Sequence, residues 1–227
     1  VIGDIHGGLR ALEQVLERAN VCAHDTLIFL GDYVDGWSES PAVIDYLIDL
    51  FKKQPCIFIR GNHDELLLQW YNHGGESTVM AYTKVSVTDK KRHVDFLKNL
   101  QNYYLDNQNR LFVHAGFTNL HGVEYEYYPR LFYWDRTLWE TAVSLDRSID
   151  ISSKYFPRRL KKYTAIFIGH TPVTLLDETK PMHKGNIWNV DTGAAFKGKL
   201  SILDVDTKQY WQSDSLPSLY PNEKGRN

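Results

Sequence analysis

The chain has 227 residues, 43% of them apolar, and a formal net charge of −2. This length predicts one sizeable hydrophobic core in a single domain spanning residues 1–227. A charge near zero gives no broad positive field for nucleic acid, and no apolar stretch approaches the roughly 20 residues of a membrane helix. We therefore expect neither a nucleic-acid partner nor a membrane partner.

Apolar periodicity predicts alternating strands and helices in the first third of the chain. The predicted order is a strand at 1–4, a helix at about 9–20, a strand at 27–31, a helix at about 41–53, a strand at 56–60 and a helical stretch to about 70. Strands that alternate with helices in this way are typical of β-α-β units in an α/β fold.

The later part of the chain is less regular. Residues 74–100 carry apolar side chains at helical spacing and predict a helical cap on one side of the domain. Residues 187–210 predict two or three strands joined by glycine and aspartate turns. Prolines and a glycine in residues 213–227 predict a surface tail.

Five short blocks place Asp, His or Asn beside glycine, each where a short apolar run ends. They are Gly3-Asp4-Ile5-His6-Gly7, Gly31-Asp32-Tyr33-Val34-Asp35-Gly36, Gly61-Asn62-His63-Asp64, His114-Ala115-Gly116 and Gly169-His170-Thr171-Pro172. Each block alone is typical of a turn. Because the carboxyl ends of strands meet in a common crevice, we expect all five to converge on one site.

The residue types in these blocks fit one kind of chemistry. Carboxylates, imidazoles and an amide carbonyl together suit divalent Mn, Fe or Zn. A carboxylate that bridges two ions about 3.5–4 Å apart supports activation of water and in-line displacement at phosphorus. The blocks therefore predict an enzyme with two divalent metal ions that hydrolyses phosphate esters.

In their order and spacing, the blocks resemble the phosphoprotein phosphatase branch of the calcineurin-like metallophosphoesterases. The match runs from the first residue to about Asp204, and residues 189–194 with 197–200 are similar to the closing strand of compact bacterial members. The resemblance implies an α/β sandwich of two mixed β-sheets flanked by helices.

The resemblance also implies roles for individual residues. It implies a first metal ion held by Asp4, His6 and Asp32. It implies a second ion held by Asp32, which bridges the two, together with Asn62, His114 and His170. In this family the hydroxide between the ions attacks phosphorus.

His63 matches the general acid of the family, which protonates the leaving alkoxide. Asp35 matches the carboxylate that orients this imidazole and raises its pKa. By the same resemblance, Asn62 and His63 are expected to contact the substrate phosphate as well.

One position departs from the family pattern. The second block of the family ends Asp-Arg-Gly, with an arginine that binds the substrate phosphate, whereas Asp35 is followed here by Gly36. Arg136 resembles a second phosphate-binding arginine of bacterial members, although a surface ion pair is the alternative. Arg60, which precedes the third block, is expected to support the metal ligands from behind.

Two further features concern packing and the cellular compartment. The aromatic segment 125–134 favours a packed lid or core, with a substrate groove as the alternative. Cys22 and Cys56 are too few for a disulfide framework and are expected to be reduced and buried in a cytoplasmic protein.

The leading functional hypothesis is a metal-dependent phosphomonoesterase, a serine/threonine or broad-specificity protein phosphatase of bacterial type, which needs no obligate partner. Its substrate would be a phosphorylated protein or a small phosphoester. The first alternative is a symmetrical diadenosine tetraphosphate hydrolase, because an anhydride leaving group needs less help than an alkoxide. The second is an inactive metal-binding scaffold, favoured only by the missing arginine.

Overall fold

A computed structural model describes residues 1–73, 80–146 and 148–226. In this part of the chain, two mixed β-sheets pack face to face and helices cover their outer faces. The predicted α/β sandwich is therefore confirmed. Residues 74–79 of the predicted cap lie outside the described residues.

The first sheet is built mainly from the first third of the chain. Its elements and the helices around them are α1 (Leu9–Arg18), β1 (Leu27–Phe29), α2 (Ser40–Phe51), β2 (Cys56–Phe58), α3 (Asn62–His73) and α4 (Val87–Lys98). Strands β1 and β2 are parallel. Ile2 bridges Phe29 on one side and Ile202 on the other, which joins them to the antiparallel pair β8 (Ser201–Leu203) and β9 (Tyr210–Gln212).

The second sheet has five strands in the order β3-β4-β5-β7-β6. They are β3 (Tyr103–Leu105), β4 (Arg110–Val113), β5 (Ala165–Ile168), β6 (Met182–Lys184) and β7 (Ile187–Asn189). Strands β4, β5 and β7 run parallel, and the two edge strands are antiparallel to their neighbours. Three more helices complete the fold. Helices α5 (Leu131–Trp134) and α6 (Thr137–Ser144) lie between β4 and β5, and α7 (Leu216–Leu219) follows β9.

Alternating side chains along the strands explain the layered packing. In β1 and the residue after it, Leu27 and Phe29 face the helices of the first half, whereas Ile28 and Leu30 face the space between the sheets. Phe112 and Phe167 point into the same space from the second sheet and stack with centroids 4.9 Å apart. Because side chains alternate between the faces of a strand, each short apolar run supplies two core layers at once.

Three predicted boundaries or environments differ from the structure. The predicted strand at 1–4 is reduced to a bridge at Ile2, because Asp4 already turns toward the site. The predicted helical cap is in part integral to the fold, since Leu97 of α4 is completely buried in the first core cluster. In the predicted surface tail, Leu216 and Tyr220 are buried.

The cysteine and aromatic predictions are corrected in part. Cys22 is exposed, because it lies in the loop between α1 and β1, and Cys56 is half-buried. Within the aromatic segment 125–134, Phe132 and Tyr133 are core residues, as the sequence predicted, whereas Tyr127 is 91% exposed. None of the described helices is long and apolar enough to cross a membrane.

Candidate metal centre

The predicted ligands lie where strands of both sheets end, on sharp turns. Asp32 follows β1, Asn62 begins α3 after β2, His114 follows β4 and His170 follows β5. His6, Asp32, Asp35 and His170 all have left-handed backbone conformations, with φ of 51°, 53°, 67° and 67°. Non-glycine residues adopt this conformation rarely, and clusters of them are typical of functional sites.

Asp4, His6 and Asp32 form the first cluster, in which one ligand atom from each residue lies within 4.8 Å of the others. The Nε2 atom of His6 lies 3.5 Å from Asp32 Oδ2 and 3.9 Å from Asp4 Oδ2. Its Nδ1–H donates to the backbone carbonyls of Asp35 and Val34, at 2.9 and 3.2 Å. This tautomer directs the Nε2 lone pair toward the two carboxylates, as a metal ligand requires.

The second cluster contains Asp32, His114 and His170 and meets the same distance criterion. The Nδ1–H of His114 donates to the carbonyl of Leu30 at 2.8 Å, and its Nε2 lies 3.4 Å from Asp32 Oδ2. Asn62 Oδ1 lies 3.2 Å from His114 Nε2 and 2.9 Å from His170 Nδ1. Asn62 therefore adds a fourth donor, and Asp32 belongs to both clusters.

Glycines allow the carboxylates to approach the neighbouring loops. A Cβ atom on Gly61 would lie 2.1 Å from Asp32 Oδ1, and one on Gly169 would lie 2.0 Å from Asp4 Oδ1. Both distances are far below van der Waals contact, so only glycine fits at either position. The glycines in the third and fifth blocks thus set the positions of ligands that belong to other blocks.

The charges of the site favour bound cations. Burial and the neighbouring carboxylate of Asp191 raise the pKa of Asp4 well above its usual value. Burial alone would lower the pKa of His114, but Asp32 and Asp4 outweigh it and raise that pKa to about 10. A proton on His114 thus supplies positive charge among buried carboxylates, which is the role that metal ions would take.

Two buried atoms of the site have no hydrogen-bond partner among the described residues, Asp4 Oδ1 and His170 Nε2. An unpaired buried carboxylate oxygen is costly in a folded protein. Together with the oxygen and imidazole donor set, this orphaned oxygen fits a pair of divalent ions at the two clusters. These residues could hold two ions, with Asp32 shared between them.

His63 and Asp35 form a pair beside the first cluster. His63 Nδ1 lies 2.5 Å from Asp35 Oδ2, and the backbone N–H of His63 donates to Asp32 Oδ1 at 2.9 Å. Burial opposes the charge on Asp35, but the hydrogen bond from His63 and nearby positive charges keep the pKa of Asp35 below its usual value. An ionised Asp35 therefore orients the imidazole, so that its Nε2 faces away from Asp35.

The two arginines singled out in the sequence differ in position. Arg136 is exposed, and its charge contributes to the low pKa of His170, after burial and the charge of His114. Arg60 donates to Glu65 at 3.0 Å and to the carbonyl of Lys98 at 3.2 Å. These hydrogen bonds link Arg60 to α3 and α4, and among the described residues none of them is to a predicted metal ligand.

Sequence reasoning assigned no role to three other residues at the site. Asp64 accepts a hydrogen bond from the backbone N–H of Asp32. Asp191, after burial, raises the pKa of Asp4. Both residues lie within segments that resemble the family. Arg226 hydrogen-bonds to the Nε2 of His63. No sequence signal marked Arg226, since only the fold brings residues 163 positions apart into contact.

Two cavities differ in their relation to the site. The larger, of about 1020 Å³, is lined by residues such as Arg110, His183 and Lys208 and contains none of the predicted ligands. A second cavity of about 500 Å³ borders Asp35 and is also lined by Lys84 and Glu223. This second cavity therefore lies beside the His63–Asp35 pair.

Comparison with known proteins gives consistent results. The family model described as calcineurin-like phosphoesterase matches residues 1–198. A bis(5'-nucleosyl)-tetraphosphatase PrpE [asymmetrical] of Geobacillus thermodenitrificans is 26% identical, with 98% of this chain and 95% of that protein covered. The enzyme of the same name from Anoxybacillus flavithermus is 27% identical, with 97% and 94% covered.

Two solved structures share the fold. A putative diadenosine tetraphosphatase has a TM-score of 0.63 at 19% identity and covers 93% of this chain and 90% of its own. A protein serine/threonine phosphatase from Saccharomyces cerevisiae, with similarity to human phosphatase PP5, has a TM-score of 0.64 at 17% identity and covers 94% and 78%. At these identities the likeness concerns the fold alone.

Proposed function

The chain belongs to the calcineurin-like phosphoesterases, and within this family we propose that it is a hydrolase of dinucleoside polyphosphates that uses two metal ions. Membership confirms the resemblance found in the sequence, and the family makes the chain a metal-dependent phosphoesterase. The names of the curated relatives, which cover nearly the whole chain, support the substrate class. They specify asymmetrical cleavage, so we propose this in place of the symmetrical cleavage considered from the sequence.

The sharing of Asp32 between the two clusters carries the two-metal part of the proposal. Bound divalent ions would activate water and neutralise charge on the phosphates. Asp4, His6 and Asp32 would hold one ion, and Asp32, Asn62, His114 and His170 the other. The chain positions these groups through His6 Nδ1–H and His114 Nδ1–H, which donate to backbone carbonyls and fix both rings.

In the proposed reaction, water adds across one P–O–P linkage of the tetraphosphate. Cleavage next to the terminal nucleoside breaks the bond between the bridging oxygen and the first phosphorus, giving a nucleoside monophosphate and a nucleoside triphosphate. The bridging oxygen leaves with the triphosphate as a stable anion. In this proposal His63 donates a proton or a hydrogen bond to this oxygen, while Asp35 fixes the ring.

Aromatic residues near the site supply a surface for a base. Trp134 is 38% exposed, and its ring lies edge-on to His170 with centroids 6.4 Å apart. Every nucleobase has a face that can stack on such a ring, which contributes about 1–3 kcal/mol. For the exposed part of the aromatic segment 125–134, we therefore propose the alternative considered from the sequence, a groove for the substrate.

A second candidate is a protein phosphatase acting on phosphoserine or phosphothreonine. The 2.5 Å contact between His63 and Asp35 favours it, because expulsion of an alkoxide requires a proton. An inactive scaffold is disfavoured, since both clusters and the His63–Asp35 pair are complete.

The test is hydrolysis by metal-stripped protein to which Mn is added back. Diadenosine tetraphosphate and a phosphoserine peptide are compared on the wild type, on Asp32→Asn and on the control His121→Asn, an exposed histidine outside both clusters. We expect Mn-dependent formation of ATP and AMP that Asp32→Asn abolishes and His121→Asn retains. Formation of two ADP molecules would indicate symmetrical cleavage. Turnover of the peptide alone would replace the proposal with the second candidate.

A further inference from the structure

Gly36 stands at the position of the second-block arginine, where the backbone packs closely against His6. A Cβ atom on Gly36 would lie 2.7 Å from the carbonyl oxygen of His6 and 2.9 Å from its Cβ atom. The backbone N–H of Trp37 also donates to this carbonyl at 2.8 Å. No side chain fits at position 36 unless His6 moves, and His6 belongs to the first cluster.

The loop that lacks the arginine instead binds the C-terminal segment, residues 213–226. Trp37 is buried, and its ring stacks on that of Tyr220 with centroids 5.1 Å apart and planes at 24°. The backbone N–H and the hydroxyl of Ser38 donate to the two carboxylate oxygens of Glu223, at 2.9 and 2.7 Å. The Trp37 Nε1–H donates to the carbonyl of Ala194 at 2.8 Å, which fixes the indole in this position.

This segment then returns to the site and places Arg226 beside His63. The backbone N–H of Arg226 donates to the carbonyl of Ala195 at 2.9 Å. Its Nη1 atom lies 3.3 Å from His63 Nδ1 and hydrogen-bonds to His63 Nε2. The side chain is half-buried. A guanidinium is thus anchored next to the imidazole and close to the first cluster.

We propose that Arg226 binds the substrate phosphate in place of the arginine that the second block lacks. The inference rests on the proposed function, since it assumes a phosphate at the two clusters. A guanidinium has planar donors that can bind two phosphate oxygens at once, whereas a neutral imidazole nitrogen offers it one acceptor. When phosphate binds, Arg226 exchanges His63 Nε2 for phosphate oxygens. Nε2 is then free to take up a proton from water and to donate it to the leaving group.

Arg226 contacts His63, whose imidazole pairs with Asp35, the residue immediately before Gly36. The docking of residues 213–226 on Trp37 then supplies the phosphate-binding arginine that is absent at Gly36.

The experiment measures binding of inorganic phosphate by calorimetry to the full chain loaded with Mn. The proteins are the wild type, Arg226→Ala, Arg226→Lys and the control Lys224→Ala, an exposed cation in the same segment. We expect Arg226→Ala to weaken phosphate binding about tenfold or more, Arg226→Lys to weaken it less, and Lys224→Ala to leave it unchanged. Titration of each protein with Mn is expected to give equal metal affinity.

Each contrary outcome has a distinct meaning. Phosphate affinity that is unchanged in Arg226→Ala would overturn the inference, whether or not the enzyme turns over diadenosine tetraphosphate. Tighter phosphate binding in Arg226→Ala would also overturn it, because the arginine would then obstruct the site. A wild type that binds phosphate through Arg226 but hydrolyses no phosphoester would contradict the proposed function and leave the inference standing.

Discussion

Asp64 is completely buried and accepts hydrogen bonds from three backbone N–H groups around the site. The donors are Asp32 at 2.9 Å, Tyr33 at 2.9 Å and Gly61 at 2.8 Å, so one carboxylate joins the loops that follow β1 and β2. This carboxylate positions Asp32 and Asn62 relative to each other. It does so through the backbone, since none of the three hydrogen bonds involves a predicted metal-ligand atom.

We predict that Asp64→Asn lowers the free energy of unfolding by about 1–3 kcal/mol, because an amide NH₂ group would face a backbone N–H that it cannot satisfy. The matched control is Asp49→Asn, whose exposed ion pair with Lys52 we expect to contribute little to stability. Urea denaturation measures both. Equal losses in the two variants would show that the three hydrogen bonds contribute no more than a surface pair.

His63 allows a prediction that depends on the leaving group. Loss of a general acid typically slows a reaction about 10²–10⁴-fold when the leaving group needs a proton. We therefore expect His63→Asn to slow any hydrolysis of a phosphoserine peptide by this factor and to slow that of diadenosine tetraphosphate much less. The measurement is kcat/KM for both substrates. Equal slowing of both would mean that His63 acts on the phosphate rather than on the leaving group.

The prospects of sequence-based prediction differ between residues of the same site. Asp4, Asp32 and His114 were predictable as a group because ligand residues follow strand ends, and parallel strands end on one side of a sheet. Arg226 was not, because its position follows from Trp37 stacking on Tyr220, a contact between distant residues without periodic pattern.

At the scale of elements, α4 shows what periodicity leaves undetermined. Its apolar spacing predicted a helix, which is present at Val87–Lys98, but assigned it to a cap on one side of the domain. Leu97 is completely buried, and the Nε2 of His93 lies 2.7 Å from Asp45 Oδ1 on α2. Spacing defines which face of a helix is apolar, but not which neighbour covers it.

We predict that Leu97→Ala lowers the free energy of unfolding by about 2–5 kcal/mol, because it removes buried methyl groups and leaves a cavity. Val87→Ala on the same helix is the control, since Val87 is 83% exposed, and we expect a change within about 0.5 kcal/mol. Thermal or urea unfolding distinguishes the two. A small loss in Leu97→Ala would restore the original prediction of a peripheral cap.

The whole molecule has one core layer that both sheets share. Ile28 and Leu30 from the first sheet pack with Phe112 and Phe167 from the second. Since neither sheet buries this face without the other, the single domain predicted from chain length should unfold in one cooperative transition. Calorimetric and van't Hoff enthalpies measured on the metal-free protein should agree. Two resolved transitions would indicate that the halves fold independently.

The buried carboxylates of the site make stability depend on metal. We predict that Asp4→Asn raises the melting temperature of the EDTA-treated protein, because Asp4 Oδ1 has no partner among the described residues and Asp191 repels its charge. With Mn at about 100 times its Kd, the wild type should gain about 2.7 kcal/mol for each ion that it binds, and Asp4→Asn should gain less. Melting curves with EDTA and with Mn test both signs. A variant that is less stable in EDTA would contradict the repulsion.

The ligands of the second cluster come from different sheets. Asp32 follows β1 of the first sheet, whereas His114 and His170 follow β4 and β5 of the second. An ion bound by these residues would therefore cross-link the two sheets at the edge where β1, β4 and β5 end. Amide hydrogen exchange in the turns after β1, β4 and β5 should slow together when Mn binds, while the amides of α4 remain unaffected.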